Sequence, residues 1–183
     1  SLDEERDPLT REAIFKAVAK LNATDAFTAL LREISSPEAT SECVREAALA
    51  LGQIARSPGI ADRLPEAVGP LKARYQASPP ADVALRAGLL SAMAGVADRA
   101  FLPKFLEAVD SDQPPFLRPA IQGLQALGDA TKLSRLRRYT GHADPLIRLA
   151  AIEAVGRLGR EDSDLESVLA RLNPAIEPSE LAR

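Results

Sequence analysis

The residues best suited to chemistry are one histidine, one cysteine and a recurring pair of an aspartate and an arginine. His142 lies in the turn Thr140-Gly-His-Ala-Asp144, where an imidazole could act as a general base or cap a helix. The sequence places no nucleophile beside it, which weighs against catalysis. We interpret Cys43 as a small side chain packed in the interior. One histidine and one cysteine cannot form a common zinc site, so we predict no catalytic residue, no metal and no cofactor.

Basic side chains next to tyrosines form the second group that could bind a ligand. We predict a partner-binding set of Lys72, Arg74, Tyr75, Lys104, Lys132, Arg135, Arg138 and Tyr139. These charges could converge on an acidic peptide or on a phosphate backbone, although a run of charges is more often a solvated helix face. We expect charge reversal of Arg135 and Arg138 to weaken capture of an acidic protein or peptide partner.

Composition narrows the class of partner. The net charge is −3 and aromatic residues make up only 4% of the chain, which argues against nucleic acid. The last repeat is acidic, with Glu161, Asp162, Asp164 and Glu166.

No run of about 18 apolar residues could span a bilayer, and no signal peptide opens the chain. The location we expect is cytoplasmic. Because the chain begins at Ser1 and a repeat motif follows within ten residues, we expect a fragment of a longer protein.

The candidate side chains must be positioned by helices, and the stretch from Asp144 to Gly159 shows the helix pattern most clearly. Asp144 is a good N-cap, Pro145 fits the first helical position, and Gly159 can end the helix. Between them, apolar residues recur at three- and four-residue steps and predict one buried helix face. They are Leu146, Ala150, Ala151, Ala154, Val155 and Leu158. Arg148 follows Asp144 by four residues, so the two charges can meet across one turn.

The same pattern occurs four more times along the chain. It carries arginines at positions 11, 45, 86, 118 and 148. We predict repeat ion pairs between Asp7 and Arg11, between Asp82 and Arg86, and between Asp144 and Arg148. The Arg45 and Arg118 copies lack the aspartate, and their arginine falls one position later in the apolar register. The arginines are 30 to 41 residues apart, and a period of this size marks a solenoid built from helix pairs.

The predicted fold class is therefore all-α, an α-solenoid or superhelix of about five helix pairs. No segment alternates with period two, so no strand is predicted. We expect one domain over residues 1–183. Its repeats are predicted at 7–37, 38–79, 80–111, 112–142 and 143–173, with a tail or truncated repeat at 174–183. Pro70 should kink or restart the second helix of the 38–79 repeat, and Pro119 is tolerable only in the first turn of its helix.

The opening Asp144-Pro-Leu-Ile-Arg148, with Ala151, Ala154, Val155, Gly156, Leu158 and Gly159, resembles the HEAT-like repeat of phycobilisome-lyase-type HEAT proteins. The resemblance extends from residue 8 to residue 172. It implies that the leading helix of each pair lies on the convex side and the second helix on the concave side. It also implies that the arginine after each aspartate stabilises stacking between repeats.

Three functions follow as hypotheses. The first is a non-enzymatic, armadillo-like scaffold that binds a protein partner on its concave face. The second is a subunit like the bilin lyases, which would bind a tetrapyrrole and shift its absorbance. The third and weakest is nucleic-acid binding through the basic patch. HEAT-like hydroxylases use repeated His-Glu pairs to hold two irons, and the sequence contains no such pair, which excludes that activity.

Overall fold

A computed structural model describes residues 7–21, 24–159 and 162–169 of the protein. Within these residues all regular structure is helical and no strand is present, which confirms the predicted all-α solenoid class. The α-helices are α1 (Pro8–Leu21), α2 (Phe27–Ser35), α3 (Ser41–Ile54), α4 (Val68–Ala77), α5 (Val83–Val96), α6 (Leu102–Asp110), α7 (Pro114–Leu127), α8 (Leu133–Arg137), α9 (Pro145–Leu158) and α10 (Asp162–Leu169). Short 3₁₀ segments precede or follow several of them.

The leading helices α1, α3, α5, α7 and α9 all contain 14 residues. Local sequence sets where they start. The side chains of Thr40, Asp82 and Asp144 each accept a hydrogen bond from an amide in the first turn of the following helix. Proline occupies the first position of α1, α7 and α9, where its missing N–H costs no helical hydrogen bond.

The second helices depart further from the sequence expectation. Residues 58–67 form a 3₁₀ segment that contains Pro65, and α4 starts only afterwards. Pro70 is the third residue of α4 and so lies in its first turn. Of the two expected outcomes, the helix restarts, at Val68, and no kink is needed. Pro119 is the sixth residue of α7 and is buried there. The expectation that it must lie in the first turn was wrong, and the helix continues without the hydrogen bond that its missing N–H would donate.

The described residues group into two compact units, with the boundary between Lys104 and Phe105 inside α6. In the first unit α1 packs on α3 and α3 packs on α5, while α2 packs on α3 and α4. In the second unit α7 packs on α9, and α8 and α10 also pack on α9. The single domain over 1–183 and the repeat bounds stay predictions. The tail at 174–183 lies outside the described residues.

Glycines bring α3 and α5 very close together in the first unit. A Cβ placed on Gly52 would lie 2.9 Å from the carbonyl oxygen of Ser91. One placed on Gly95 would lie 2.7 Å from the Cα of Gly52. Both neighbours are backbone atoms, which cannot rotate away. Gly88, seven residues before Gly95, would place a Cβ 2.9 Å from the Cγ of Arg45. The helices therefore touch at two points about two turns apart.

The second unit packs a glycine against a side chain instead. A Cβ on Gly123 of α7 would lie 2.6 Å from ring carbons of Phe105, which is fully buried. Gly156 of α9 has open space around the same point, with no atom within 4 Å. Interior packing thus depends on glycine in both units, but the atoms that would clash differ in kind.

Candidate partner-binding surface

Four members of the predicted binding set lie in the first unit: Lys72, Arg74 and Tyr75 are on α4, and Lys104 lies beside the ring of Tyr75. We call Lys72, Arg74, Tyr75, Arg86 and Lys104 the Tyr75 cluster. Tyr75 is 5% exposed, and the guanidinium carbon of Arg86 lies 4.2 Å from the centre of its ring. The ammonium of Lys104 lies 5.7 Å from the same ring centre. Both distances suit cation–π attraction, so the buried tyrosine holds positive charge beside it.

The arginines of the Tyr75 cluster bind carbonyl oxygens. Arg74 donates to the carbonyls of Ser36 and Ala39, at 3.1 and 3.3 Å. Arg86 donates to the carbonyl of Ser78 at 3.1 Å, and more weakly to that of Tyr75 at 3.5 Å. These carbonyls lie at or just past the C-terminal ends of α2 and α4, where helix carbonyls lack a helical partner. These acceptors carry no formal negative charge, in contrast to a carboxylate partner.

The other four members lie in the second unit within residues 132–139, and Arg138 lies against the ring of Tyr139. We call Lys132, Arg135, Arg138 and Tyr139, together with Asp110 and Asp112, the Tyr139 cluster. Arg135 donates to both carboxylate oxygens of Asp110, at 2.7 and 2.6 Å. Arg138 donates to the carbonyl of Val109 at 3.0 Å and lies 4.0 Å from the carboxylate of Asp112. Two aspartates therefore offset the two arginines that were expected to attract an acidic partner.

Tyr139 is the buried centre of that cluster. Its hydroxyl donates to the carbonyl of Val109 at 2.9 Å and lies 2.8 Å from the carboxylate of Asp112. Burial raises the pKa of Tyr139 above its usual value, and the hydrogen bond to Asp112 raises it further, because both disfavour the phenolate. Arg138 opposes this shift with its hydrogen bond and its charge. Tyr139 thus fixes the end of α6 to the segment that follows α8.

Sequence reasoning missed three residues that decide the electrostatics of these clusters. Arg86 was assigned to a repeat ion pair but lies against Tyr75. Asp110 and Asp112 were not among the predicted site residues but lie against the arginines. The signal for the aspartates was present, since an acidic Asp110-Ser-Asp112 segment ends one second helix and a basic run lies on the next. Nothing local indicated the position of Arg86.

The charged side chains of the predicted repeat pairs form hydrogen bonds with backbone groups. Asp82 accepts from the amide of Leu85 at 3.1 Å, and Asp144 accepts from that of Leu146 at 2.8 Å. Arg148 donates to the carbonyls of His142 and Ala143, at 2.7 and 3.2 Å. In these two repeats the aspartate caps its helix. The arginine, like Arg86, binds carbonyls of the segment before that helix.

The first repeat combines a cap with a buried ion pair. Asp7 accepts hydrogen bonds from the amide and the hydroxyl of Thr10, and these bonds, the hydroxyl first, lower the pKa of Asp7. Arg11 forms an ion pair with Glu33 of α2, whose side chain is 4% exposed. Arg11 therefore joins α1 to α2. A buried carboxylate of this kind depends strongly on its cation.

Next to this pair lies a cavity of about 250 Å³, lined by Arg11, Glu33, Thr40 and Cys43 among others. Cys43 is buried, and its amide donates to the hydroxyl of Thr40 at 3.2 Å. The volume is below the roughly 300 to 1,000 Å³ that pockets for drug-sized ligands usually have. This cavity therefore gives no support to a tetrapyrrole site.

A group of carboxylates lies on the leading helices of the first unit. Glu12 of α1 and Glu42 and Glu46 of α3 bring their oxygens within 4.8 Å of one another. Lys16 pairs with Glu12, and Arg45 pairs with Glu42 and Glu46. The hydrogen bond from Arg45 lowers the pKa of Glu42, and that from Lys16 to Glu12 raises the pKa of Lys16. This mixture of charges connects neighbouring leading helices.

His142 lies in the turn before α9. Its Nδ1 accepts from the amide of Asp144 at 3.0 Å, and its ring centre is 6.1 Å from that of Tyr139. Of the two roles considered for His142, this geometry corresponds to capping, since the imidazole binds the backbone at the start of a helix.

Comparison with known families agrees with the repeat pattern. Residues 102–176 match the family model for HEAT repeats. The match supports a HEAT-like repeat family, but it does not support the predicted phycobilisome-lyase type within that family. No curated protein matches the chain. Across the described ranges, every helix is too short or too polar to cross a membrane.

Proposed function

We propose that the protein is a non-enzymatic interaction module that binds an acidic segment of a protein partner at the Tyr75 cluster. HEAT repeats generally act as scaffolds for protein interactions and are typically not enzymes, and the match of residues 102–176 to the HEAT repeat model supports this class of function. The observation that carries the choice of site is that Arg74 and Arg86 bind carbonyl oxygens. Their charges remain available to a carboxylate from outside.

The neighbouring side chains extend this positive surface. Lys72 lies two residues before Arg74 on α4, and within the described chain no acidic side chain lies within 4.0 Å of its ammonium. Arg74 is half-buried, and hydrogen bonds to two carbonyls hold its guanidinium in place. A fixed guanidinium loses little freedom when it binds a carboxylate, which favours recognition.

The Tyr139 cluster is the weaker candidate for the same partner. An incoming carboxylate would have to displace Asp110 from Arg135, where both oxygens already accept hydrogen bonds. The exposed Arg135–Asp110 pair contributes little free energy, but replacing Asp110 by another carboxylate would still give no net binding free energy. Support for an acidic partner therefore concentrates on the first unit.

A fluorescein-labelled oligo-glutamate peptide tests the proposal by fluorescence anisotropy. We expect saturable, salt-sensitive binding that weakens at least tenfold in the double variant Lys72→Glu, Lys104→Glu. Lys132→Glu in the second unit is the matched control and should change affinity by less than about threefold, in line with a rim charge. Charge reversal of Arg135 and Arg138 should also weaken binding, but by less than the Lys72, Lys104 pair.

Two results contradict the proposal. One is anisotropy that stays flat at low salt, and the other is equal loss in the double variant and in Lys132→Glu. The two other hypotheses can be tested with the same preparations. A shift in the absorbance of added bilin would favour the lyase-like subunit, and salt-dependent retention of a DNA duplex would favour nucleic-acid binding.

A further inference from the structure

Among the described residues, one carboxylate oxygen of Glu33 lacks a hydrogen-bond donor. The side chain of Glu33 is 4% exposed, and Arg11 binds its Oε2. The other oxygen, Oε1, receives no hydrogen bond from the part of the chain that the structure describes. Buried carboxylates usually have their remaining lone pairs satisfied by donors. Glu33 lines the cavity of about 250 Å³ beside Arg11, so a donor for Oε1 can come from that cavity.

The unbonded oxygen of Glu33 is open to this space. Across the described ranges, the hydroxyl of Ser57 is the one polar side-chain atom that is both sealed from solvent and without a hydrogen bond. Oε1 of Glu33 also has no hydrogen bond, but it is not sealed. The cavity is therefore next to a nine-tenths-buried carboxylate whose second oxygen can be reached from it.

Negative charge exceeds positive charge around the cavity. Glu38 also lines it, and within the described chain this exposed carboxylate has no hydrogen bond or ion pair. The charged lining residues are Arg11, Glu33 and Glu38, which carry one positive and two negative charges, a net charge of −1. Arg11 offsets only one of the two carboxylates, so the lining favours a cation.

The first turn of α3 borders the same cavity and by itself would favour an anion. Thr40, however, accepts from the amide of Cys43 at 3.2 Å, so this amide already has its acceptor. An anion beside Arg11 would also stand next to the unbonded oxygen of Glu33, which would repel it. The charges together favour a cation over an anion.

The size and the walls of the cavity indicate the kind of cation. One water molecule takes up about 30 Å³ of the liquid, so a cavity of about 250 Å³ suits a ligand of several heavy atoms better than a bare ion. Ala39 and Cys43 add small apolar groups to the lining. Arg74 fixes one wall, because it donates to the carbonyls of Ser36 and Ala39. A wall that is already in place lowers the cost of binding.

We propose that this cavity binds a primary alkylammonium group, which donates to Oε1 of Glu33 and places its charge near Glu38. A primary ammonium has three N–H donors and no acceptor, which matches a lining rich in acceptors. A small free amine and a lysine side chain of a partner both carry this group. The site goes beyond binding at the Tyr75 cluster, because none of that cluster's side chains lines the cavity.

An NMR titration of the intact chain with three four-carbon probes tests the head group. We expect n-butylammonium to shift the backbone amide signals of Glu33, Thr40 and Cys43 saturably, with a dissociation constant on the order of 1 mM. 1-Butanol and butyrate carry a neutral and an anionic head group on a similar chain, and each should bind at least tenfold more weakly. Tighter binding of n-butylammonium than of Nα-acetyl-lysine-N-methylamide would assign the site to a free amine, and the reverse order to a lysine side chain.

Two carboxylate variants test the residues. Glu33→Gln should weaken binding of n-butylammonium at least tenfold, and Glu38→Gln by about two- to fivefold, because Glu38 is exposed. Glu33 also pairs with Arg11, so circular dichroism must show that Glu33→Gln is folded. Glu38→Gln changes an exposed side chain and keeps the test decisive if it is not. Asp62→Asn removes an exposed carboxylate elsewhere in the same unit and, as the matched control, should leave the affinity unchanged.

Three results overturn the proposal. The first is a set of shifts that grow with n-butylammonium concentration without saturating. The second is binding of 1-butanol or butyrate as tight as that of n-butylammonium, since the ammonium would then not be what is recognised. The third is an affinity that stays at the wild-type value in Glu38→Gln and in a folded Glu33→Gln.

Discussion

The two compact units solve the same problem with different chemistry. Each must hold a buried tyrosine and arginines beside the end of a preceding second helix. In the first unit Arg74 and Arg86 bind carbonyl oxygens there. In the second unit, Asp110 and Asp112 lie at the end of the preceding second helix. Asp110 accepts hydrogen bonds from Arg135, and Asp112 lies near Arg138. The difference shows that one acidic turn decides whether a basic helix surface stays charged towards outside partners.

Helix packing shows a second contrast between the units. The first unit sets Gly52 and Gly95 against backbone, whereas the second sets Gly123 against the ring of Phe105. A ring can be replaced or can shift, and a backbone cannot. The predictions below test whether this distinction governs stability, beginning with the largest effect.

Gly95→Ala should destabilise the protein by about 2 kcal/mol, since overpacking costs roughly 1 to 3 kcal/mol and the better helix propensity of alanine returns part of it. The added Cβ would lie 2.7 Å from the Cα of Gly52. Urea unfolding followed by circular dichroism measures the loss. Gly156→Ala is the matched control in open space and should stabilise by about 0.5 to 1 kcal/mol. A Gly95→Ala variant as stable as the wild type would contradict the close approach of α3 and α5.

Gly123→Ala should cost about 1.5 kcal/mol, because the new methyl group meets the buried ring of Phe105. Since the clash is with a side chain, Phe105→Leu should relieve it. In a double-mutant cycle we expect a coupling of about 1 kcal/mol that favours the double variant. Strict additivity of the two substitutions would show that the ring is not what limits Gly123.

Tyr139→Phe should cost about 1 kcal/mol at neutral pH through the lost hydrogen bonds to Val109 and Asp112. Because the pKa of Tyr139 is raised in the folded protein, its contribution is fully present below pH 10.0 and is lost as pH rises through the raised value. Urea midpoints on both sides of pH 10.0 should therefore fall more steeply for the wild type than for Tyr139→Phe. Parallel declines would contradict the burial of this hydroxyl.

The smallest effects concern two helix ends. The residue that caps the C-terminus of α5, Ala97, has a φ of 55°. The residue that caps α7, Gly128, has a φ of 69°. A left-handed conformation is strained for alanine and easy for glycine. Ala97→Gly should therefore stabilise the protein by about 0.5 to 1 kcal/mol, and Gly128→Ala should destabilise it by a similar amount. Thermal unfolding of both variants measures the difference, and shifts of the same sign would refute the assignment.

The leading helices could be predicted well because their signals are local. The bounds predicted for the helix from Pro145 to Leu158 are confirmed, since a cap, a first-turn proline and an apolar period all lie within one segment. The predicted buried face was wrong at Leu146, which is 52% exposed. The second helices were harder. The sequence predicted only that Pro70 would kink or restart the second helix of the 38–79 repeat. The 3₁₀ form of residues 58–67 was missed, because apolar spacing alone does not separate the two helix types.

The candidate site was only partly predictable. The basic side chains and tyrosines were found from their spacing along single helices. Their partners were not, because Arg74 binds the carbonyl of Ser36, 38 residues away, and Arg135 binds Asp110, 25 residues away. Such contacts arise only when one helix pair stacks on the previous one. Charge along a helix can be read from the sequence, but whether that charge is neutralised depends on stacking.

The uniform 14-residue leading helix has a consequence for how this molecule can change. At 1.5 Å per residue each one measures about 21 Å, so any of them can stand next to any other without overhang. A duplication or deletion that spans a whole pair, such as the 31 residues from Pro114 to Asp144, preserves every register. The 3₁₀ segment at residues 58–67 adds length between α3 and α4 without altering a leading helix. The chain can thus gain or lose whole modules more safely than it can gain or lose single residues within them.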